Sequence, residues 1–444
     1  MKIRSLLLGS AALAGLSTAG YAADLGVVTS LDVCDELGLS GLTISSDDNC
    51  LVITGNVAFE YDWGDYTPGR VYGDFASNSN DNNYNVLDPS SPLDGKPDVD
   101  AWLKFVGTAD SDFGPATATI KLISENGTGT VDQTVGIDEA WVGIGDTTMI
   151  MAGYKSSIFN KGDDAPLNYL GLFNSNAINS GVSWHTTGAA TGGDVIQIVS
   201  NLGNGVSVGG GLENLNGTFG TMTGVGVLSY AGDGISAHVS TAFGSSKNFG
   251  VPPGTGKIGW KVHAGFTGAW DPIKVVAAVA TDDTGYYNAL GSVAATFDMF
   301  TLAGSGEIAS DGYGVGGSAS AKVTDGVTIN LGGKYWHHTT YVTTDGSASE
   351  IANAGAAAYD LWRVEAGLSA AVTESITLTA AAGYESTTAP VVAVAGGLQG
   401  ASSDFYGTAG VAWAPGGGFT SSTSLTVNSL GGYKAVFKAA KSIK

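Results

Sequence analysis

LVITGNVAFEYDW, residues 51–63, alternates with a period of two. Leu51, Ile53, Val57, Phe59 and Tyr61 fall on one face; Thr54, Asn56, Glu60 and Asp62 fall on the other. Successive side chains of a strand point to opposite sides, so this is a strand with one apolar and one polar face. The same rhythm recurs along the chain. At 117–123, Ala118, Ile120 and Leu122 oppose Thr117, Thr119 and Lys121. At 260–270, Trp260, Val262, Ala264, Phe266 and Trp270 oppose Lys261, His263 and Thr267. At 361–368, Trp362, Val364, Ala366 and Leu368 oppose Arg363 and Glu365.

A soluble sandwich alternates in the same way with its apolar face inward, so the connections must decide. Nine are short: Ser111–Gly114, Asp146-Thr147, Gly203–Gly205, Asp233-Gly234, Asp271-Pro272, Asp298-Met299, Asp325-Gly326, Glu374-Ser375 and Pro415–Gly417. They alternate with connections that are often long: Gly64–Pro97, Ser156–Ser180, Gly244–Gly256, Thr340–Ala358 and Ser386–Ser402. Short turns at one end and long loops at the other mark a transmembrane antiparallel β-barrel. Two strands about each turn, plus one at each end, give about 20, an even number as such barrels require. The weakest candidates are Asp194–Ser200, preceded by an apolar piece at Val182–Trp184, and the final Tyr433–Phe437. Aromatics near strand ends (Tyr61, Trp63, Trp102, Tyr230, Trp260, Trp270, Tyr335 and Trp413) are candidates for the girdles at the membrane interfaces.

Composition agrees. The chain has 444 residues, 68 of them glycine, and only 14% are charged while 43% are hydrophobic. Disorder needs the opposite balance. The 41 acidic against 19 basic residues exclude a nucleic-acid partner, whose phosphates require a basic face. Two cysteines exclude a disulfide-dense mini-fold and a four-cysteine zinc site.

Lys2 and Arg4, the apolar run Leu6–Leu16 and the small-x-small pattern Gly20-Tyr21-Ala22 read as a secretory signal peptide over residues 1–22. Its removal takes two basic and no acidic residues, leaving 17 basic against 41 acidic and a net charge of −24. No later apolar run reaches the roughly 20 residues of a membrane-spanning helix.

Residues 33–65, VCDELGLSGLTISSDDNCLVITGNVAFEYDWGD, resemble the start of mature alphaproteobacterial porins of the rhizobial type. Those proteins read VCDxxG, a second cysteine at this spacing, then Gly-x-Val-x-x-x-Tyr-Asp, matched here by Gly55, Val57, Tyr61 and Asp62. The opening MKIRSLLLGSAALAG is similar to theirs. Met151–Asn160 looks like the start of their third loop, and Asn201–Ser207 like the turn before their seventh strand. The resemblance implies an outer-membrane barrel of 16 strands, in which the third loop folds into the lumen, and a trimer. Two features depart from it. The chain is long for 16 strands, and it ends Lys441-Ser442-Ile443-Lys444 where an aromatic residue is usual, with Phe437 seven residues earlier.

The expected organisation is a signal peptide (1–22), an N-terminal segment (23–49) and a barrel (50–444) of 16–20 strands that includes an in-folded loop at 156–180. Export into an oxidising compartment predicts a Cys34–Cys50 disulfide, since neither cysteine has another partner. The expected constriction residues are Asp163, Asp164, Lys155 and Lys161. The stretch Leu167, Tyr169, Leu170, Leu172 and Phe173 would pin the loop to the wall, because such a run is a liability when exposed. Strand parity places Lys104, Lys121, Lys261, Lys274, Lys334, Arg363, Glu60, Glu139, Glu307, Glu365 and Glu385 on the lumen side.

Enzyme chemistry finds no support. The five histidines show no HExxH or other metal spacing, and GxSxG and Walker motifs are absent. No cofactor or metal is expected; the acidic run at 64–100 lacks the calcium-loop pattern. The expected function is a general diffusion porin of the Gram-negative outer membrane, weakly cation-selective, passing small hydrophilic solutes and ions and contacting lipid and lipopolysaccharide. The alternative is an exported, non-transporting β-rich surface protein such as an adhesin or surface-layer component.

Overall fold

The computed structural model describes residues 34, 39, 41–46, 48–65, 96–125, 134–159, 165–173, 191–215, 222–245, 258–283, 285–310, 312–339, 358–388, 403–429 and 431–444. The expected signal peptide, Lys161, Asp163, Asp164 and Val182–Trp184 lie outside the described residues.

A short strand β1 (Leu42–Ser45) precedes β2 (Cys50–Asp65), β3 (Lys96–Ala109), β4 (Ala116–Glu125), β5 (Val135–Gly145), β6 (Thr148–Lys155) and β7 (Gly193–Gly203). Then follow β8 (Val206–Glu213), β9 (Thr223–Gly232), β10 (Ile235–Ser245), β11 (Ile258–Trp270), β12 (Ile273–Asp282), β13 (Tyr287–Phe297) and β14 (Phe300–Ala309). The last are β15 (Gly312–Thr324), β16 (Val327–His338), β17 (Tyr359–Ala371), β18 (Ile376–Thr387), β19 (Ser403–Gly416), β20 (Phe419–Asn428) and β21 (Tyr433–Ile443).

Each strand from β2 to β21 pairs antiparallel with the next. β21 returns to β2, from Gly55 opposite Ile443 to Asp65 opposite Tyr433, and closes a 20-stranded barrel. The hairpin count therefore holds and the 16 strands implied by the resemblance do not: all nine tight turns join hydrogen-bonded hairpins. Asn204-Gly205 and Asp233-Gly234 show why, since both residues of each pair take positive φ, as the favoured two-residue hairpin turn demands. At the opposite end, connections run from two residues (310–311) to the long stretch 66–95, so the sorting by length is not strict.

The barrel is apolar outside. Val142 (59% exposed) and Leu331 (55%) stand for a belt of outward aliphatic side chains, which lipid rather than protein must cover. Tyr61, Trp63, Trp260, Trp270 and Trp413 are exposed on the same outer face. Trp102 does not join them: it alternates with outward Leu103 and points into the lumen, because side-chain direction follows strand parity rather than nearness to a strand end.

The seam between β2 and β21 is held on its lumenal face by Lys438 Nζ–Glu60 Oε2 at 2.6 Å and Lys434 Nζ–Asp62 Oδ2 at 3.2 Å. β21 continues to Ile443, so the residues after Phe437 are strand rather than a tail. Beyond its end β2 still needs an edge partner, and β1 supplies it: Leu42 lies opposite Ile53 and Ser45 opposite Cys50. β1 thus prolongs the β21 column, tied at its base by the Cys34–Cys50 disulfide.

Candidate functional site

The connection between β6 and β7, residues 156–192, has described parts at both ends and in the middle, and these contact inward-facing wall residues. At its start, Ile158 and Phe159 are buried against Val225, Val227 and Ala242 of β9 and β10. In its middle, Leu172 packs with Ala278, Ala280 and Leu290 of β12 and β13. Phe173 packs against Ala309, Trp336 and Leu361 of β14, β16 and β17. Burying this apolar run against the barrel's inner face is more favourable than leaving it in water.

Polar contacts set the register of the seat. The Leu167 amide donates to Ser292 Oγ at 2.8 Å, and the Tyr169 amide donates to Ser318 Oγ at 3.0 Å. Asn168 Nδ2 donates to Gly171 O at 2.7 Å within the loop and to Gly333 O at 3.3 Å on the wall. The wall makes room by omitting side chains. A Cβ at Gly316 would lie 2.3 Å from Asn168 Nδ2, and one at Gly367 would lie 2.3 Å from the Tyr169 hydroxyl.

Tyr169 reaches furthest. Its hydroxyl donates to Glu365 Oε1 at 2.9 Å. Burial, then the charge of Glu365, pushes that hydroxyl well above the ordinary tyrosine range, so it remains a donor. The other Glu365 oxygen accepts from Arg363 Nη2 at 2.8 Å and from the Tyr406 hydroxyl, which in turn accepts from Arg363 Nε. Arg363 and Glu365, both expected on the wall, thus neutralise one another and anchor the loop. Lys334, another wall residue, places Nζ 4.1 Å from the centre of the Phe173 ring.

The base of the loop is held by a residue that parity could have flagged but that stood out by no motif. Glu213, the last residue of β8, is wholly buried. Its carboxylate accepts from the Ile158 amide at 3.2 Å, from the Gly192 amide at 2.6 Å and from Gln197 Nε2 at 2.8 Å. Ile158 lies at the start of the loop and Gly192 at its end, so one side chain clamps both. Gln197 adds a bond from Nε2 to Ser156 O at 3.2 Å. Lys261 lies within electrostatic reach of Glu213.

Of the other expected wall residues, Lys104, Lys121 and Glu139 lie together on β3–β5, while Lys274, Glu307 and Glu385 lie on β12, β14 and β18. Lys104 Nζ lies 3.2 Å from Glu139 Oε2, and Lys121 Nζ lies 2.6 Å from Asp138 Oδ2. A register shift beside Lys121 and Leu122 lets Asp138 approach as well as Glu139. Lys155 ends β6 with Nζ 5.1 Å from the centre of the Trp141 ring. The wall charges are therefore largely cross-paired, so the electric field they project into the lumen is weaker than their number suggests. Among the described residues no group of His, Cys, Asp and Glu could hold a metal ion.

A family model of the porin subfamily matches residues 27–443, nearly the whole chain. Several solved structures are similar. A loop-L8 deletion mutant of OmpT, an outer membrane protein of Vibrio cholerae, covers 89% of this chain and 100% of its own at 9% identity, with TM-score 0.40. A triple mutant of the Rh. blastica porin covers 88% and 99% at 12% identity, with TM-score 0.38. The outer membrane channel DcaP of Acinetobacter baumannii covers 91% and 100% at 12% identity, with TM-score 0.37. No curated protein matches the chain. The assignment rests on the family match, which fits the closed barrel and its apolar outer belt: the chain belongs to the porin subfamily and is a channel of the Gram-negative outer membrane.

Proposed function

We propose that this channel is a general diffusion porin: a water-filled passage for small hydrophilic solutes and ions, constricted by the in-folded loop at 156–180 and weakly selective for cations. The observation that carries the reading is the seating of Leu167–Phe173 on inward-facing residues of β12–β17. A loop held there takes up part of the cross-section. The weakness of the selectivity follows from the wall, where Lys104, Lys121, Arg363, Lys434 and Lys438 each stand against a carboxylate. The bias toward cations is assigned to Asp163 and Asp164, with Lys155 and Lys161 opposing it, and to the net charge of −22, or −24 once residues 1–22 are removed. Charges in a narrow, low-dielectric passage act over about a Debye length, roughly 8 Å at physiological salt.

Single-channel conductance in planar bilayers, with reversal potential under a salt gradient, tests this. A modest cation bias that shrinks in high salt is the expected result. Replacing Asp163 and Asp164 by Asn should move the reversal potential toward the anion side. An unchanged potential would mean that these residues do not line the narrowest part.

The working unit is proposed to be a trimer embedded in lipid and lipopolysaccharide, to be checked by native mass measurement or cross-linking. The reading as a non-transporting surface protein is disfavoured by the outer belt, which an adhesin in water would have no reason to expose.

A further inference from the structure

Nine tryptophans are present, and the barrel explains most of those described. Trp63, Trp260, Trp270, Trp362 and Trp413 are exposed on the outer face, where an indole suits the boundary between lipid and water. Trp336 is fully buried beneath Phe173. Trp102 and Trp141 are different. Both point inward, from β3 and β5, and both are partly exposed on the water side. Neither position serves membrane anchoring, and a partly wet indole adds less to stability than a buried one.

Their surroundings are polar and ordered. Lys121 Nζ lies 5.4 Å from the centre of the Trp102 ring, and Lys155 Nζ lies 5.1 Å from the centre of the Trp141 ring. In the strand register, Lys104, Lys121 and Glu139 form the row between the two indoles. Trp141 Nε1 donates to Glu139 Oε2 at 3.4 Å, and the same oxygen accepts from Lys104. Trp141 is laid down along the wall: a Cβ on Gly143 would come within 3.1 Å of its Cζ3. A ring lying on the wall turns its other face to the lumen. The ammonium groups near these faces are held at a distance close to the outer limit of about 6 Å for a cation–π contact, which is weak at exposed sites.

We propose that Trp102, Trp141 and the Lys104–Glu139 row between them form a lumenal subsite for the pyranose ring of a sugar. The C–H face of a pyranose is apolar and flat enough to lie on an indole, while its ring hydroxyls need both donors and acceptors at the rim. Lys104, Lys121 and Lys155 supply the donors; Glu139 and Asp138 supply the acceptors. Each ammonium near an indole can move aside and donate to the sugar instead. The proposal rests on the channel reading, and it adds a preference for sugars over other hydrophilic solutes of equal size.

The test is blockade of single-channel current by maltotriose, by trigalacturonic acid and by a polyethylene glycol of equal mass. Maltotriose should block in a saturable way that the polyethylene glycol does not reproduce. Trp102→Ala and Trp141→Ala should each raise the half-blocking concentration about threefold to tenfold, the loss expected for one aromatic face. Trp102→Phe and Trp141→Phe, which keep a smaller face, should fall between. Trp413→Phe, on the lipid side, should leave the blockade as it was. Tighter blockade by the uronate than by maltotriose would assign the lysines to a carboxylate as well as to ring hydroxyls. Equal, unsaturable blockade by sugar and polyethylene glycol, or half-blocking concentrations that none of the four inward variants changes, would overturn the subsite while leaving the channel reading intact. Absence of any conductance would remove both.

Discussion

Glu213→Ala should free both ends of the β6–β7 loop at once. The Ile158 amide, the Gly192 amide and Gln197 Nε2 would lose their shared acceptor inside a buried pocket. Stranding buried donors costs about 1–3 kcal/mol each, so a local loss on the order of 3 kcal/mol is expected even after partial rearrangement. Because the barrel's own ladder does not pass through this carboxylate, the loss should appear as local opening rather than global unfolding. Amide exchange at Ile158 and Gly192 should quicken about a hundredfold, the rate ratio of that free energy. Exchange in β12–β17 should not change. Open-channel current should become noisier, and Glu213→Gln, which retains one acceptor oxygen, should lie between. Unchanged exchange at the two loop amides would show that the clamp is incidental to a loop held by Leu172, Phe173 and Tyr169 alone.

Breaking the Cys34–Cys50 bond should have the next largest effect. The bond closes a loop of 16-residue separation that contains β1. In the chain-entropy model a loop of this size is worth about 3 kcal/mol. β1 is only four residues long, and among the described residues its strand partner is β2, so the bond should matter to its hold. Reduction, or Cys34→Ser with Cys50→Ser, should therefore release β1 and leave residues 50–53 of β2 without their edge partner. Cleavage by a protease between residues 34 and 50 should rise sharply. The β2–β21 seam should persist, because eleven paired positions and the Lys438–Glu60 and Lys434–Asp62 pairs lie beyond the bond's reach. Loss of the closed barrel on reduction would mean that the N-terminal segment is required for closure itself.

These two features differ in how far they could be foreseen. The disulfide follows from composition and compartment, because two cysteines leave one pairing. Glu213 follows a glycine-rich stretch and matches no motif; only its inward parity on β8 marks it. Its importance comes from the convergence of Ile158 and Gly192, at opposite ends of one loop, with Gln197 of β7.

The hairpins and the alternation of two faces along each strand were legible in the sequence, because a strand's two-residue period and its turns are local properties of the backbone. Asn204-Gly205 and Asp233-Gly234 announce their hairpins, and Lys104, Arg363 and Glu365 announce their face. Trp102 was equally legible by its parity with Lys104, and reading it instead by its nearness to a strand end is what misplaces it. The tertiary structure alone decided where the loop is seated and which charges are cancelled. Leu167 meets Ser292, Tyr169 meets Glu365, and Arg363 is neutralised by a carboxylate that itself holds the loop. Arg363 and Glu365 are two residues apart, but the loop and its wall partners lie far apart along the chain and are chosen by closure of the barrel, which brings β6 and β17 around one lumen; no local pattern of residues carries that information.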